Sequence, residues 1–558
     1  MARRLTEQFA TGIDRLAALC VALVLATAAS TAAARAAAAP YAYAHHAVST
    51  AIGSAQASFD RGLTLLYAYQ GEEAERAFRE AAKLDPTLAM AWWGIALALG
   101  PDINSGPDAA TTLKAAKAIA RARLLATRGA TPAEHAYIEA LAARYSEAPA
   151  PDFDALALGY RDRMRELAKR YPHDPDVAAL FAEALMDVHP WRLWTADEEP
   201  VEGTLELVAV IEAGLREHPR HMGLMHYYIH AVEASAAPGR ALAAARQLAA
   251  MSFEPAASHL VHMPAHTFLR VGDWPAAIAA NEHAMHHALD FRVSLDPATE
   301  RACSHCLGFL TYAYAMEGNF ARAIGAARVL ETIDGEPSGR IAVLARFRRF
   351  EELLAVAEPG AEKRKDAGDP HVARALWHYG RAIARLGTGD AGAAAAELAL
   401  ERQEAALAPP EPVFPTDRPD VEHVHDHIDA ALGAAELKIA DDLLAGRLAL
   451  ARGETAAALA SIRAAIEVQD HAQYSEPPTW YYPARETLAA VLEKAGALDE
   501  AVAVLKECLR RAPHDARATL ALRRVLAASG HAHAAAALDG EIAAAQARAD
   551  APLEDERF

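Results

Sequence analysis

The stretch FDRGLTLLYAYQGEEAERAFREAAKLDP, residues 59–86, decides the fold. Gly62 and Ala74 are small at the spacing where two antiparallel helices touch, and Phe78 supplies apolar bulk between them. Pro86 predicts the end of the second helix, because a proline ring cannot continue an α-helix. The pattern is typical of a helix–turn–helix repeat of about 34 residues. One unit leaves an apolar face uncovered, so further units are expected.

The same pattern of small residues returns later in the chain. It recurs in four segments: GDWPAAIAANEHA (272–284), GNFARAIGAA (318–327), GRLALARGETAAALASIRAA (446–465) and GALDEAVAVLKECLRRAP (496–513). Apolar residues make up 53% of the chain and aromatic residues 7%, and no stretch shows sustained strand alternation. We therefore predict an all-α fold, an α-solenoid of antiparallel helical hairpins wound into a superhelix.

The length of 558 residues exceeds a usual single domain. A solenoid removes that limit, because each repeat contacts only its neighbours. Stretches rich in proline and charge predict linkers at 358–370 and 408–420. The predicted organisation is a signal peptide (1–38), a linker (39–57), an N-terminal solenoid with a histidine-rich segment (58–357), a C-terminal solenoid (371–547) and an acidic tail (548–558) that composition suggests is frayed.

The first residues have the pattern of an export signal. Three arginines precede an apolar run from Leu16 to Ala29, and Ala-x-Ala sites end at Ala34 or Ala38. The run is shorter than the roughly 20 residues that span a bilayer. We expect cleavage and export to a bacterial periplasm or the medium, without membrane insertion of the mature chain. An uncleaved amphipathic helix is the alternative.

Charge and cysteine content limit the classes of partner and of site. The net charge is -19, from 74 acidic and 55 basic residues, which argues against nucleic acid as a partner. Four cysteines are too few for a disulfide framework. Cys303 and Cys306 form a lone CxxC, a weak zinc signal without a second pair. We expect two helix-packing thiols there, with a short-range disulfide as the alternative.

Histidines are unusually frequent, at 25, and they cluster. HYYIHAVE places His226, His230 and Glu233 at i, i+4 and i+7 on one helix face. HLVHMPAH brings three more imidazoles together: His259, His262 and His266. Pro264 predicts the first turn of the next helix, so that His262 lies just before that helix.

These residues form a candidate metal site. We predict that four histidines converge on one concave pocket, with Glu233 and Arg270 beside them: His226, His230, His262 and His266. Neutral imidazole binds Zn, Cu, Fe or Ni, and a nearby carboxylate orients the ring. Three interpretations stay open, namely packing hydrogen bonds across the hairpin, a divalent transition-metal site, and a metal-free acid–base or ligand site.

Three other segments carry chemistry-bearing side chains. HVHDH (423–427) resembles the start of a zinc motif but has its acid misplaced. PWRLW (190–194) and YSEPPTWYYPAR (474–485) are aromatic and non-helical. Such rings either line a groove for an extended peptide or cap the core where regular repeats are interrupted.

Five segments carry a closer resemblance: WWGIALALGP (92–101), HYYIHAVEAS (226–235), HLVHMPAHTFLRVG (259–272), LWHYGRAIARLG (376–387) and EPPTWYYPAR (476–485). They resemble blocks found, in the same order, in a group of exported bacterial tetratricopeptide-repeat proteins. The resemblance implies a tetratricopeptide-like solenoid and little about activity. We therefore expect an exported scaffold that binds a protein or peptide. The alternative is a metal-binding protein or metal-dependent enzyme using the histidine pocket, and no catalytic residue is assigned.

Overall fold

The computed structural model describes residues 41–291, 297–360, 369–409 and 424–558, and it is helical throughout, with no β-strand in these ranges. The predicted signal peptide lies outside the described residues. In chain order the α-helices are α1 (Gly53–Leu66), α2 (Gly71–Leu84), α3 (Ala89–Ala98), α4 (Ala109–Ala126), α5 (Pro132–Ala142), α6 (Phe153–Arg170), α7 (Pro175–Met186), α8 (Thr204–Glu217), α9 (Met222–Glu233), α10 (Leu242–Ala249), α11 (Ser258–His262), α12 (Pro264–Arg270), α13 (Trp274–Phe291), α14 (Pro297–Glu317), α15 (Phe320–Asp334), α16 (Ser338–Arg346), α17 (Phe350–Leu354), α18 (Pro370–Gly387), α19 (Ala391–Ala405), α20 (Val424–Ala451), α21 (Thr455–His471), α22 (Ala484–Lys494), α23 (Leu498–Arg511), α24 (Ala516–Ala528), α25 (Ala532–Ala536) and α26 (Asp539–Arg548).

The first three helices pack around one aromatic ring. Phe78 on α2 is fully buried between Gly62 on α1 and Gly94 on α3. A Cβ atom on Gly62 would lie 2.7 Å from the Phe78 ring, and one on Gly94 would lie closer still. Glycine is therefore required at both positions for the helices to approach this closely. Helix α2 ends at Leu84, just before Pro86, as predicted.

A second hairpin repeats this contact far along the chain. A Cβ atom on Gly446 of α20 would lie 2.6 Å from the Ile462 side chain of α21. Ala458 and Ile462 are fully buried there. Consecutive helices also pack against each other within both parts of the chain. The predicted all-α fold of tetratricopeptide-like antiparallel hairpins is confirmed.

The described residues group into two compact units. The N-terminal unit holds residues 41–267 and 424–428, and the C-terminal unit holds 268–409 and 429–558. The division along the main chain therefore falls at residues 267–268, whereas the linker predicted from composition lies at 358–370. Both histidine-rich segments, 226–233 and 259–266, belong to the N-terminal unit.

The acidic end of the chain is packed rather than frayed. Asp555 is 3% exposed and accepts a hydrogen bond from Arg524 Nε at 2.7 Å. Asp550 accepts the backbone N–H groups of Phe320 and Ala321, both at 2.7 Å, at the start of α15. The expected fraying is wrong because these carboxylates have specific partners in the C-terminal unit.

Two further features bear on the sequence predictions. Cys303, Cys306 and Cys508 are buried thiols, in agreement with the helix-packing interpretation. Within the described ranges, no helix is both long enough and apolar enough to cross a bilayer.

Candidate metal centre

Helix α9 carries the first two histidines of the site into the interior of the N-terminal unit. All of its side chains are buried, because helices α7, α8 and α10 pack around it. The imidazole of His221 caps its first turn by accepting the Leu224 N–H at 3.2 Å. The Trp194 indole donates to the Ala231 carbonyl at 2.8 Å, which ties the 187–203 connection to the last turn. His226 and His230 are thereby held on a rigid helix, 0% and 4% exposed.

Helices α11 and α12 bring the second set of histidines to the same place. Helix α11 ends at His262 and α12 begins at Pro264, as the sequence predicted. His262 and His266 are buried, whereas His259 on α11 is half-buried. The rings of His226 and His259 have centroids 4.9 Å apart. Two segments more than twenty residues apart in sequence thus form one cluster.

The tautomer of His226 is determined by its backbone partner. Its Nδ1 lies 2.7 Å from the carbonyl oxygen of Tyr67, which can only accept a hydrogen bond, so Nδ1 carries the proton. Burial, followed by the charge of His230, lowers the pKa of His226 well below its ordinary value. The ring is therefore neutral, and its Nε2 presents a lone pair to the cluster.

Glu233 orients two further rings. His230 Nδ1 lies 2.9 Å from Glu233 Oε1, and His266 Nδ1 lies 2.9 Å from Glu233 Oε2. Burial by itself raises the pKa of Glu233, but the charges of His230 and His266 outweigh it and hold that pKa well below its ordinary value. The carboxylate accepts the Nδ1–H of His230, which directs the His230 Nε2 away from it, and it makes an ion-pair contact with His266 Nδ1.

Three Nε2 atoms converge in front of α9. His226 Nε2 lies 3.1 Å from His230 Nε2 and 3.2 Å from His259 Nε2. The candidate ligand atoms of these three residues all lie within 4.8 Å of one another. Zinc–nitrogen bonds of about 2.0–2.1 Å place two nitrogens of a tetrahedral site about 3.3 Å apart. The spacing of this triad is close to that of ligands around one ion.

The four predicted ligands lie in one cluster, but their nitrogens group differently from the prediction. His226 and His230 converge with His259, which the predicted ligand set did not include. His262 and His266 form a separate pair, with their Nε2 atoms 2.9 Å apart. That distance is normal for one imidazole donating to another. Glu233 links the triad to the pair.

Two aromatic rings with unusual backbone conformations enclose the triad. Tyr69 has φ 52° and its ring centroid lies 4.6 Å from that of His226. Trp191 has φ 57° and its ring lies 5.7 Å from that of His230. Non-glycine residues with positive φ are uncommon and are concentrated at functional sites. Sequence reasoning missed Tyr69, because no local pattern marks its contact with a helix some 150 residues later.

Arg270 and two further segments complete the set of predicted site residues. Arg270 belongs to the C-terminal unit, where its guanidinium lies 5.6 Å from the Tyr474 ring centroid. The side chains of the 423–427 cluster fall outside the described part of the chain. In the 474–485 loop, Tyr481 packs edge-on against Tyr312 at 5.8 Å, which favours the core-capping interpretation.

A second polar cluster supports the position of the histidine triad. Asp176 accepts hydrogen bonds from His46 Nδ1 at 2.8 Å, His221 Nε2 at 3.1 Å and the Tyr67 hydroxyl at 2.6 Å. Since the carbonyl of the same Tyr67 holds His226, this carboxylate fixes the residue that sets the His226 tautomer. The oxygens of Asp176 are occupied by donors from the protein, so we interpret the cluster as structural.

Comparison with known proteins assigns no activity to this chain. The sequence matches no protein-family model and no curated protein. Among solved structures, it is similar to a human IFIT1 dimer with m7Gppp-AAAA at 12% identity, over 88% of this chain and 91% of that chain, with a TM-score of 0.33. The APC/C hetero-tetramer Cut9–Hcn1 gives 10% identity, 77% and 98% coverage and a TM-score of 0.24. Yeast Tom70 gives 12% identity, 87% and 96% coverage and a TM-score of 0.27. These scores are low, so the fold assignment rests on the helix packing of this chain.

Proposed function

We propose that this protein binds one divalent transition-metal ion through the Nε2 atoms of His226, His230 and His259. The observation that carries the proposal is the convergence of these nitrogens at 3.1 and 3.2 Å around His226 Nε2. The Nδ1 atoms of His226 and His230 are already committed to the Tyr67 carbonyl and to Glu233. Their Nε2 lone pairs therefore face each other.

A protein-only account of this arrangement requires extra protons. Two neutral rings with protonated Nδ1 atoms have no hydrogen to share between their Nε2 atoms. Protonating His230 would supply one, and it would bridge one contact of His226 Nε2. A metal ion instead binds the facing lone pairs of His226 and His230 together with the Nε2 atom of His259. It also replaces the solvation that burial removes from these polar atoms.

The donor set indicates the class of metal. Imidazole nitrogens suit Zn²⁺, Cu²⁺, Ni²⁺ or Fe²⁺, whereas Mg²⁺ and Ca²⁺ prefer oxygen ligands. Glu233, which holds the Nδ1–H of His230, increases the basicity of that ligand. Three protein ligands leave a fourth tetrahedral position for water or another small ligand. The half-buried His259 is the member of the triad that reaches solvent.

Metal analysis of the purified protein tests the proposal. We expect about one equivalent of metal per chain by inductively coupled plasma mass spectrometry, and saturable zinc binding by titration calorimetry after chelation. His230→Ala should abolish both while the circular dichroism spectrum stays helical. His378→Ala is the matched control, because His378 is also buried and bonded through Nδ1 to a carboxylate, Glu397 at 2.7 Å, but has no partner imidazoles in the hydrogen bonds described for it. Equal metal binding by wild type and His230→Ala would refute the proposal.

A protein- or peptide-binding scaffold is the second proposal. It is supported by the tetratricopeptide-like hairpins and by the resemblance of the sequence to exported repeat proteins. Native affinity purification with and without a chelator distinguishes the two functions. A partner that binds away from the triad stays bound after the metal is removed. Nucleic acid is an unexpected partner, because the net charge of -19 would repel its phosphates.

Export to a bacterial periplasm or the medium is a further proposal that rests on sequence alone. Its support is the arginine-rich start, the apolar run Leu16 to Ala29 and the small residues that follow. Export would place the triad where metal supply differs from that of the cytoplasm. The cleavage site is tested below.

A further inference from the structure

A pocket separate from the histidine cluster opens in the N-terminal unit. It lies between the α3–α4 connection, α6 and the residues that follow α5 and α7, and it is a small cavity of about 30 Å³ that is partly open to solvent. Phe153, Leu156 and Tyr160 of α6 form an apolar wall. Arg144 and Asp187 form its polar base. Pockets that combine an apolar wall with a few convergent polar groups are typical of ligand sites.

The base of the pocket contains more buried acids than buried basic groups. Arg144, Glu183 and Asp187 are 5%, 4% and 7% exposed. The Arg144 guanidinium donates through Nη2 to Asp187 Oδ2 and, at 2.6 Å, to the Pro101 carbonyl, and its Nη1 lies 3.6 Å from Glu183 Oε1. One guanidinium thus faces two carboxyl groups, so a single positive charge is available for two buried acids.

Two carboxyl oxygens remain for a further donor. Asp187 Oδ1 and Glu183 Oε2 accept no hydrogen bond from the residues that the structure describes. Asp187 is more than nine-tenths buried and lines the pocket. A buried acceptor without a donor is energetically unfavourable, and a donor that reaches it removes this cost. Burial raises the pKa of Asp187 well above its ordinary value, as expected for an acid short of positive partners.

We propose that this pocket binds a primary alkylammonium group, with its nitrogen at Asp187 Oδ1 and its carbon stem along Phe153, Leu156 and Tyr160. An ammonium supplies both the missing positive charge and three N–H donors. The apolar wall matches a short hydrocarbon stem. A free alkylamine and a lysine side chain both carry this group, so both fit the pocket. The experiment below distinguishes these two sources.

Competing ligands fit the pocket less well. A divalent metal needs several ligand atoms within a few ångströms, and among the described residues the acids of this pocket form no such group. The guanidinium of Arg144 would also repel a divalent ion. An anion would meet the two carboxyl groups of Asp187 and Glu183 against one guanidinium. The proposal is independent of the metal centre, because none of its residues is a ligand of the triad.

Titration calorimetry with size-matched probes tests this proposal. We expect saturable binding of n-butylamine and at least tenfold weaker binding of n-butanol and butyrate. Asp187→Asn should weaken butylamine binding at least tenfold. The Asp187→Asn change also removes a partner of Arg144, so a second variant is needed. Ala157→Leu fills the pocket from α6 and leaves its charged residues unchanged. Glu401→Gln, which alters a fully buried acid of the C-terminal unit, is the matched control and should bind like wild type.

A peptide with one lysine among glycines distinguishes the two sources. Tighter binding of this peptide than of butylamine assigns the pocket to a lysine side chain, and the reverse assigns it to a free amine. Equal binding of butanol and butylamine, or full binding by a folded Ala157→Leu variant, would overturn the proposal. So would the absence of butylamine binding at millimolar concentration to wild type of native helicity.

Discussion

His226 donates its Nδ1 proton to the carbonyl oxygen of Tyr67, 159 residues earlier in the chain, at 2.7 Å. This one hydrogen bond determines which nitrogen of His226 faces the other imidazoles. Because the carbonyl cannot donate, Nε2 is left as a lone pair beside His230 and His259. The ligand geometry proposed for the metal therefore depends on the packing of α1 against α9.

His259→Ala should remove metal, whereas His262→Ala should retain it. His259 Nε2 lies 3.2 Å from His226 Nε2, but His262 pairs with His266. Metal content per chain after dialysis measures the difference. The opposite result, with metal lost only in His262→Ala, would favour the ligand set predicted from sequence over the triad.

Glu233→Gln should weaken metal binding about 10- to 100-fold without abolishing it, because the change removes the charge that orients His230. The zinc dissociation constant from competition titration measures this. Glu217→Gln is the matched control, since Glu217 makes a similar contact with His173 Nδ1 at 2.9 Å on the surface. If the two variants bind zinc alike, the proposed role of Glu233 is wrong.

Gly62→Ala should destabilise the fold by about 1–3 kcal/mol, because its methyl group would overlap the buried Phe78 ring. Gly53→Ala, on the same helix, has nothing within 4 Å of its new methyl group. It should be neutral or slightly stabilising, because alanine favours the helix. Thermal midpoints followed by circular dichroism compare the pair. Equal shifts would contradict the role assigned to the close α1–α2 contact.

The contribution of Asp176 to stability should depend on pH. Burial raises its pKa, but the hydrogen bonds from His221 and His46 outweigh burial and leave that pKa below its ordinary value of 3.8. This stabilisation is present above about pH 4 and is lost as the pH falls further. Burial lowers the pKa of His46, but the contact with Asp176 outweighs burial and raises that pKa above 6.5. The stabilisation that protonated His46 provides is therefore present below pH 6.5 and is lost as the pH rises through the folded-state pKa.

Urea midpoints of wild type and Asp176→Asn should therefore differ most between about pH 4 and 6.5, and less at pH 3 and pH 9. His46→Gln should remove the decline on the alkaline side and leave the acid side. A difference that is constant from pH 3 to pH 9 would exclude this ionic contribution.

Expression in a bacterial host should yield a chain cut between about Ala34 and Ala39. The small residues there match the requirement of signal cleavage. N-terminal sequencing of the periplasmic and extracellular fractions measures the site. Exported protein that still begins at its first residues, with Arg3 and Arg4 intact, would contradict cleavage.

The sequence by itself determined the helical hairpins and part of the histidine cluster. Spacings of three to sixteen residues set these features: Gly62 against Phe78, the stop before Pro86, and the turn that places His226 and His230 on one face. Such spacings act within a hairpin, where helix geometry converts sequence distance directly into position.

Only the tertiary structure decided how the histidines combine and where the acidic pocket forms. His259 joins His226, Tyr67 sets a tautomer on α9, and Asp187, which follows α7, meets Arg144, which follows α5. These contacts depend on the register and rotation with which helices pack, and a shift of one residue turns a side chain by about 100° around its helix. No local pattern encodes that rotation, because it results from the fit of many buried side chains at once.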